Sequence, residues 1–189
     1  MSALILNRRE AFAGALAALW AVPAVAQAQT APAIPAWTPR ALTLDEARTL
    51  TAACERIMPA TDTPGATAAG VPQYVDRLLA TWCEADETQR VRSGLLHLDA
   101  QARGAFGAPF AALPAGRQDE LLRRAEAEAT AAANAQPPRP HWFLALRDFA
   151  TMGYFTSEAG ATKALRYDPV PGEYRGCVPL KEIGAGWAT

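Results

Sequence analysis

The residues with the chemistry for catalysis are few in this chain and widely spaced. Neither of the two histidines, His97 and His141, has an accompanying carboxylate pattern, and the Glu-x-x-His pairs of di-iron helical bundles do not occur. GxSxG, GxGxxG and phosphate-loop sequences are also missing, so a nucleophilic hydrolase or a nucleotide-binding protein has no support. Ser157 is better explained as the cap of a short helical turn, which Gly160 would close, than as a nucleophile. We therefore predict no catalytic residue, cofactor or metal site in this chain.

One polar loop, Thr61 to Ala66, combines hydroxyl, carboxylate, proline and glycine residues. Asp62 and the neighbouring threonines have the oxygen atoms that a cation needs, and their hydroxyls suit a phosphate. The loop has a single carboxylate and no EF-hand spacing, however. Asp, Thr, Pro and Gly together are typical of a tight turn, so we predict a structural role.

Three cysteines, Cys54, Cys83 and Cys177, lie far apart and match no CxxC or zinc-binding spacing. Cys54 and Cys83 fall on predicted helices, either as two buried thiols or as a pair. Cys177 lies in an irregular segment, where it is the candidate for a disulfide with another chain; a free thiol is the alternative. An odd number of cysteines leaves at least one without a partner in the same chain.

The composition is that of a globular protein. Of 189 residues, 50% are hydrophobic and 20% are charged, and the formal net charge is −1. These values argue against a disordered chain, and a nucleic-acid-binding protein would have a marked basic excess.

Residues 1–28 have the features of a cleavable export signal. Arg8 and Arg9 precede an uncharged run, Ala11–Ala26, that is too short and too rich in alanine for a stable membrane span, and small-x-small cleavage sites follow. The arginine pair resembles a twin-arginine (Tat) signal, although Asn7 replaces the usual serine or threonine. An ordinary Sec signal is the alternative. Export places the mature chain outside the cytoplasm, where disulfides persist.

A proline-rich lead, residues 29–42, follows the signal, and Trp37 would hold it against a surface. Residues 43–189 are predicted to form one domain in which apolar residues recur at helical spacing in five segments. No alternating pattern is long enough for a strand. We predict an all-α fold, an irregular bundle of about five helices.

Local signals mark where these helices begin. Thr43 and Glu46 have the spacing of a capping box, Pro72 suits the first turn of the second helix, and Asp86 is the predicted cap of the third. The second helix should bury a stripe that ends in Trp82, and the third an inward face consisting of Val91, Leu95, Leu98 and Ala102. The third should end at Gly104 to Gly107.

The last two predicted helices differ in character. The fourth, residues 116–134, is rich in arginine, glutamate and alanine and has a narrow apolar face around Leu121, Leu122 and Ala125. The fifth, residues 141–155, has apolar residues around most of its circumference. It is therefore either the central helix of the bundle or half covered by a partner.

The C-terminal segment, residues 156–189, is predicted to be largely non-helical because prolines and glycines interrupt it. Its tyrosines, together with Cys177 and Val178, are not typical of a solvated tail. Such a segment must pack on its own domain or lie on another protein, since exposed rings and unpaired backbone groups would gain nothing in water. We predict that it is a docking segment.

Two parts of the chain together resemble a known family. They are the Thr-Pro-Gly-Ala loop after the first helix and the ending, Gly-Tyr-Phe-Thr-Ser-Glu-Ala-Gly at 153–160 followed by Tyr-Asp-Pro-Val-Pro-Gly-Glu-Tyr-Arg-Gly-Cys at 167–177. In an exported all-α chain of this size, this combination resembles subunit 3 of gluconate 2-dehydrogenase. The resemblance covers roughly residues 43–180, and its specific part is 153–177.

The resemblance implies a small subunit without a cofactor of its own. In such complexes a large subunit of the glucose–methanol–choline type carries FAD and oxidises a sugar, sugar acid or polyol, and a multihaem cytochrome c subunit passes electrons to quinone. The small subunit supports maturation of the large one and its export through the Tat translocase. The expected location is the periplasm, at the inner-membrane face, with no nucleic-acid partner.

Carried onto this chain, the resemblance implies a set of partner-contacting positions near the C-terminus. They are Tyr154, Thr156, Ser157, Gly160, Tyr167, Asp168, Pro169, Pro171, Gly172, Tyr174, Gly176 and Cys177. Tyrosines suit an interface because they bring a large, rigid area with a polar tip. The alternative is an independent exported helical binding protein whose C-terminal segment folds on its own core.

Overall fold

The computed structural model describes residues 37–170, 172, 176–184 and 186–188. Within these residues it contains six α-helices and no strand or sheet, which confirms the all-α prediction. The helices are α1 (Leu44–Ile57), α2 (Val71–Thr81), α3 (Ala85–Phe106), α4 (Ala115–Ala133), α5 (Trp142–Phe155) and α6 (Leu180–Ile183). The predicted signal, the lead up to residue 36, and Pro171 and Tyr174 lie outside the described residues.

Helix α1 begins with the predicted capping box. The Thr43 amide donates to the Glu46 carboxylate at 2.7 Å, and the Glu46 amide donates to Thr43 Oγ1 at 3.3 Å. The same carboxylate accepts two hydrogen bonds from Arg92 of α3, which fixes the start of α1 against that helix. Burial disfavours the charged form of Glu46, but the hydrogen bonds from Thr43 and Arg92 outweigh it and hold the pKa below its usual value.

The corner between α2 and α3 differs from the prediction. Trp82 is 71% exposed rather than buried, because α2 ends at Thr81 and its last buried side chain is Leu79. Helix α3 begins at Ala85, so Asp86 is not its cap but lies in the first turn, 3.2 Å from Arg90. At its other end Gly104 is still helical, and Gly107 closes the helix with a positive φ of 70°.

Helix α5 is central, which agrees with the first of the two interpretations of its sequence. It packs against α1, α2, α3 and α4. A Cβ at Gly94 would overlap the ring of Trp142, so the glycine allows α3 to lie directly against α5. The predicted inward faces of α3 and α4 are buried. Among the residues that the structure describes, no helix has both the length and the hydrophobicity to span a bilayer.

The end of the proline-rich lead is attached to α2 through a buried carboxylate. Asp76 accepts hydrogen bonds from the backbone amides of Arg40, Ala41 and Leu42, at 2.8, 3.1 and 3.2 Å. These bonds offset the unfavourable burial of the carboxylate. Trp37 packs against the hydrophobic core, as expected for the residue that holds the lead to the domain.

Candidate functional site

The two histidines lie near one another but do not form a catalytic or metal-binding arrangement. His141 is the cap of α5, where its Nδ1 accepts a hydrogen bond from the Phe143 amide at 3.2 Å. Burial and the nearby His97 lower the pKa of His141, and Glu128 opposes this shift only in part. The neutral imidazole is the form that can accept at this position. His97 contacts Gln101 on its own helix at 2.9 Å.

An open groove of about 320 Å³ lies between α1, α4 and α5. Its lining is mostly charged, with apolar side chains from Ile57, Leu122 and Phe143. Within it Arg56 forms two hydrogen bonds to Asp119, at 2.6 and 3.0 Å. The bond from Arg56 holds the pKa of Asp119 below its usual value. Neither histidine lines this groove. Across the described part of the chain, no three His, Cys, Asp or Glu side chains are grouped as metal ligands.

The cysteines do not pair in this structure. Cys54 and Cys83 are separate thiols, so the alternative of a disulfide between them does not apply. Cys54 is fully buried, and burial raises its pKa strongly. Burial, with a contribution from Glu87, raises the pKa of Cys83 to about 11. Both are therefore poorly reactive at neutral pH, whereas Cys177 is an exposed free thiol.

The two sequence features that suggested the family resemblance lie against one another. Tyr154, near the end of α5, places its hydroxyl 2.8 Å from the carbonyl oxygen of Pro64 and 3.1 Å from Thr63 Oγ1. Its side chain is only 2% exposed. The C-terminal end of α5 and the loop after α1 are therefore joined through a buried tyrosine.

The loop itself is held from within. The Glu55 carboxylate accepts hydrogen bonds from the amides of Thr67 and Ala60, at 2.8 and 3.3 Å, and the Ala66 amide donates to the Met58 carbonyl at 2.8 Å. A Cβ at Gly65 would overlap the Glu55 carboxylate. These internal bonds give the loop the structural role that its composition predicted.

Ser157 has the predicted capping role in the turn after α5. Its hydroxyl donates to the Tyr154 carbonyl at 2.6 Å and accepts from the Gly160 amide at 3.0 Å. Gly160 does not close this turn as predicted, but begins a π-helical segment, Gly160–Ala164. The backbone here passes so close to the Tyr154 carbonyl oxygen that a Cβ would overlap it, which requires glycine.

Beyond this turn the chain forms a loop that is closed at its base. The Arg166 amide donates to the Gly186 carbonyl at 2.8 Å, and the Ala188 amide donates to the Arg166 carbonyl at 3.0 Å. The Arg166 guanidinium lies 4.3 Å from the centre of the Trp187 ring. Within the loop, Tyr167 is 58% and Val170 79% exposed. No described residue after Ala164 belongs to the hydrophobic core or packs on it.

The ten predicted contact residues that the structure describes fall into three groups. Those with exposed side chains or backbone are Thr156, Tyr167, Pro169, Gly172, Gly176 and Cys177, and Ser157 and Asp168 are half-buried. Tyr154 and Gly160 are buried. The Tyr154 hydroxyl bonds to the loop at Pro64, and Gly160 lets the backbone of the turn pass close to the Tyr154 carbonyl. We therefore assign these two a positioning role and remove them from the candidate contact surface. Partner contact by the other residues stays a prediction.

Sequence reasoning missed three features near this site. Asp76 and Glu55 each accept hydrogen bonds from backbone amides. In the sequence, the only indication of this role was an acidic residue next to apolar helix positions. The apolar residues of the fifth helix were not divided into buried and exposed ones, and the structure shows that the Met152 side chain is 46% exposed. Helical spacing shows that α5 is apolar all round without showing where its neighbours end.

The loop, α5 and the beginning of the C-terminal segment all lie inside one family match. The model of the family gluconate 2-dehydrogenase subunit 3 matches residues 44–172, more than half of the chain. Comparisons with curated proteins and with solved structures give no significant match. Membership in this family implies association with other subunits of a dehydrogenase complex. The chain belongs to the gluconate 2-dehydrogenase subunit 3 family.

Proposed function

We propose that this chain is the non-catalytic small subunit of a periplasmic, FAD-dependent dehydrogenase whose large subunit is of the glucose–methanol–choline type. That subunit would oxidise a sugar, a sugar acid or a polyol, and a multihaem cytochrome c subunit would take up the electrons at the inner membrane. The small subunit would support maturation of the flavin subunit and its export. Family membership supports the assignment to a complex of this kind.

The observation that carries the proposal is the closed C-terminal loop. It presents Tyr167 and Val170 to solvent, although apolar side chains of this size are ordinarily stabilised by burial. The hydrogen bonds at Arg166 define its base, and the turn held by Ser157 connects it to α5. The hydrogen bonds at Arg166 fix the chain next to Tyr167, so less conformational entropy is lost there when a partner covers Tyr167 and Val170.

The proposed route of export is the Tat translocase. Arg8 and Arg9 stand directly before the uncharged run of the signal, as in twin-arginine signals. A large subunit that has already bound FAD is folded, and the Tat route carries folded proteins, so one signal on the small subunit would serve both chains. Replacing both arginines with lysine should leave the chain and the flavin subunit together in the cytoplasm. Arg139→Lys is the matched control, and continued export of the double variant would contradict the Tat route.

Cys177 is the candidate for a disulfide to the large subunit. It is the exposed thiol of the three, and it lies in the segment proposed to dock. An oxidising compartment would allow such a bond to persist. The Cys177→Ser variant should therefore remove any band that shifts between non-reducing and reducing gels, while Cys83→Ser should leave it in place.

The direct test is to purify the full chain, tagged at its C-terminus, from periplasm and from detergent-solubilised membranes. We expect a second protein of flavoprotein size and a yellow eluate with flavin absorbance. A colourless monomer from both fractions would contradict the proposal. That result would favour the alternative, an independent exported helical binding protein.

A further inference from the structure

Two exposed apolar side chains on α5 and a half-buried tyrosine on α2 form a ridge where the two helices pack together. Met152 and Phe155 are 46% and 36% exposed and lie three residues apart on α5, so they are neighbours on one face. The hydroxyl of Tyr74 on α2 donates to Met152 Sδ at 3.4 Å. We refer to Tyr74, Met152 and Phe155 as the α2–α5 ridge.

The ridge differs from the solvent-facing surface around it. One turn earlier, the exposed positions of α5 are the charged residues Arg147 and Asp148. Leu96 on α3 is also exposed, at 55%, but its neighbours one turn away are Arg92 and Ala100. Single exposed leucines are common on protein surfaces, whereas adjacent large apolar side chains mark contact sites.

The ridge is held in place by the fold. A Cβ at Gly153 would overlap the Tyr74 ring, so the glycine lets this ring lie against the backbone of α5. Between Met152 and Phe155, the buried Tyr154 ties α5 to the loop through Pro64, and its ring packs edge-on against Phe155 at 5.3 Å. Side chains that are ordered in advance bind a partner with a smaller entropic cost.

We infer that the α2–α5 ridge is the place where the helical domain itself contacts the large subunit of the dehydrogenase complex. This inference rests on the proposed function and extends its contact surface from the C-terminal segment onto the domain. Phe155 is followed directly by Thr156, the first residue of that segment, so the two surfaces are continuous along the chain. Tyrosine, phenylalanine and methionine are enriched in the buried centres of interfaces.

The experiment compares tagged full-length chains purified from cells that also make the rest of the complex. The test variants are Met152→Glu and Met152→Glu/Phe155→Glu, and the control is Leu96→Glu, which matches the single variant by placing one negative charge at a similarly exposed position. We expect both variants to retain the helical circular dichroism of the wild type, with a lowered unfolding midpoint only in the double variant, because Phe155 packs on Tyr154. Both should recover less of the flavin-containing subunit, the double variant at least about tenfold less, whereas the control should recover the wild-type amount.

Three other results would contradict either the ridge assignment or the proposed function. Equal recovery by the double variant and the wild type would overturn the ridge assignment and leave the proposed function in place. Equal loss in the Leu96→Glu control would also overturn the assignment, because added charge alone would then explain the loss. If the wild type recovers no flavoprotein, the proposed function fails and the inference with it. If the double variant does not fold, Met152→Lys alone is used, since that side chain is nearly half exposed.

A second copy of this chain is the other candidate occupant. It would appear as a dimer of the purified chain in light scattering, with the Met152→Glu/Phe155→Glu variant monomeric. That result would overturn the assignment to the large subunit.

Discussion

The helical bundle and the C-terminal segment use aromatic residues in opposite ways. In the bundle, Trp142, Phe143 and Tyr154 are buried around α5, and the Tyr154 hydroxyl is hydrogen-bonded inside the domain. In the C-terminal segment, Tyr167 and Trp187 are exposed, and a few backbone hydrogen bonds close the loop. The bundle is stabilised by burial of its own side chains, whereas the segment is joined by hydrogen bonds at its base and leaves Tyr167 and Val170 exposed. We expect substitutions of buried residues in the first region to change stability and substitutions of exposed residues in the second to change binding.

The largest expected change in stability follows the loss of a buried side chain in α5. Leu146 is fully buried, so Leu146→Ala should lower the free energy of unfolding by about 2–5 kcal/mol. Leu96→Ala removes the same atoms from an exposed position and should change it by less than about 0.5 kcal/mol. Urea unfolding of the two variants measures the difference. Similar losses in both would show that burial around α5 is not what stabilises the bundle.

A smaller effect is expected where the bundle holds the loop. Tyr154→Phe removes the hydroxyl that bonds to Pro64 and Thr63, and it should destabilise the chain by about 1 kcal/mol because the part-buried hydrogen bond to the Pro64 carbonyl is lost. Tyr167→Phe, at an exposed position, is the matched control and should leave stability unchanged. Hydrogen exchange of the Ala66 and Thr67 amides should rise in the first variant. Unchanged exchange there would contradict the positioning role of Tyr154.

A modest pH dependence should arise in the bundle from His141. Its pKa is lowered in the folded chain, so the unfolded chain binds the proton more readily. The stability that neutral His141 contributes is therefore fully present above pH 6.5, the usual pKa of histidine. It is lost as the pH falls through the lower pKa of the folded state. His141→Asn keeps a cap at α5 and should flatten this part of the curve of stability against pH. His97→Asn removes the neighbouring imidazole that helps to lower the pKa of His141, so it should weaken this part of the curve without abolishing it, because burial is the larger cause.

The smallest change in stability is expected in the C-terminal segment. Tyr167→Ala/Val170→Ser alters two exposed side chains and should change the free energy of unfolding by less than about 0.5 kcal/mol. The same variant should recover markedly less of the flavin subunit in the purification described above. A large loss of stability would place these side chains in the fold of the chain itself. It would then favour the independent binding protein over the docking segment.

Features that depend on neighbouring residues in the sequence were predicted well. The Thr43–Glu46 capping box forms as expected because both groups lie within one helical turn. The inward face of α3 is buried as predicted, since a regular helix brings residues three and four apart to one side. Family membership could also be anticipated from the short motifs around Pro64 and Gly153.

Features that depend on contacts between distant segments were decided by the tertiary structure. Trp82 directly follows α2 and Met152 lies on α5, yet both apolar side chains are exposed, because the neighbouring helices do not extend over them. Tyr154 belongs to a motif that suggested partner contact, but the loop carbonyl 90 residues earlier binds its hydroxyl inside the domain. The sequence by itself determined the helices, their apolar faces and the family of the chain. Only the packing of α5 against its neighbours decided which of those apolar residues became core and which remained at the surface, because burial depends on what lies opposite each side chain.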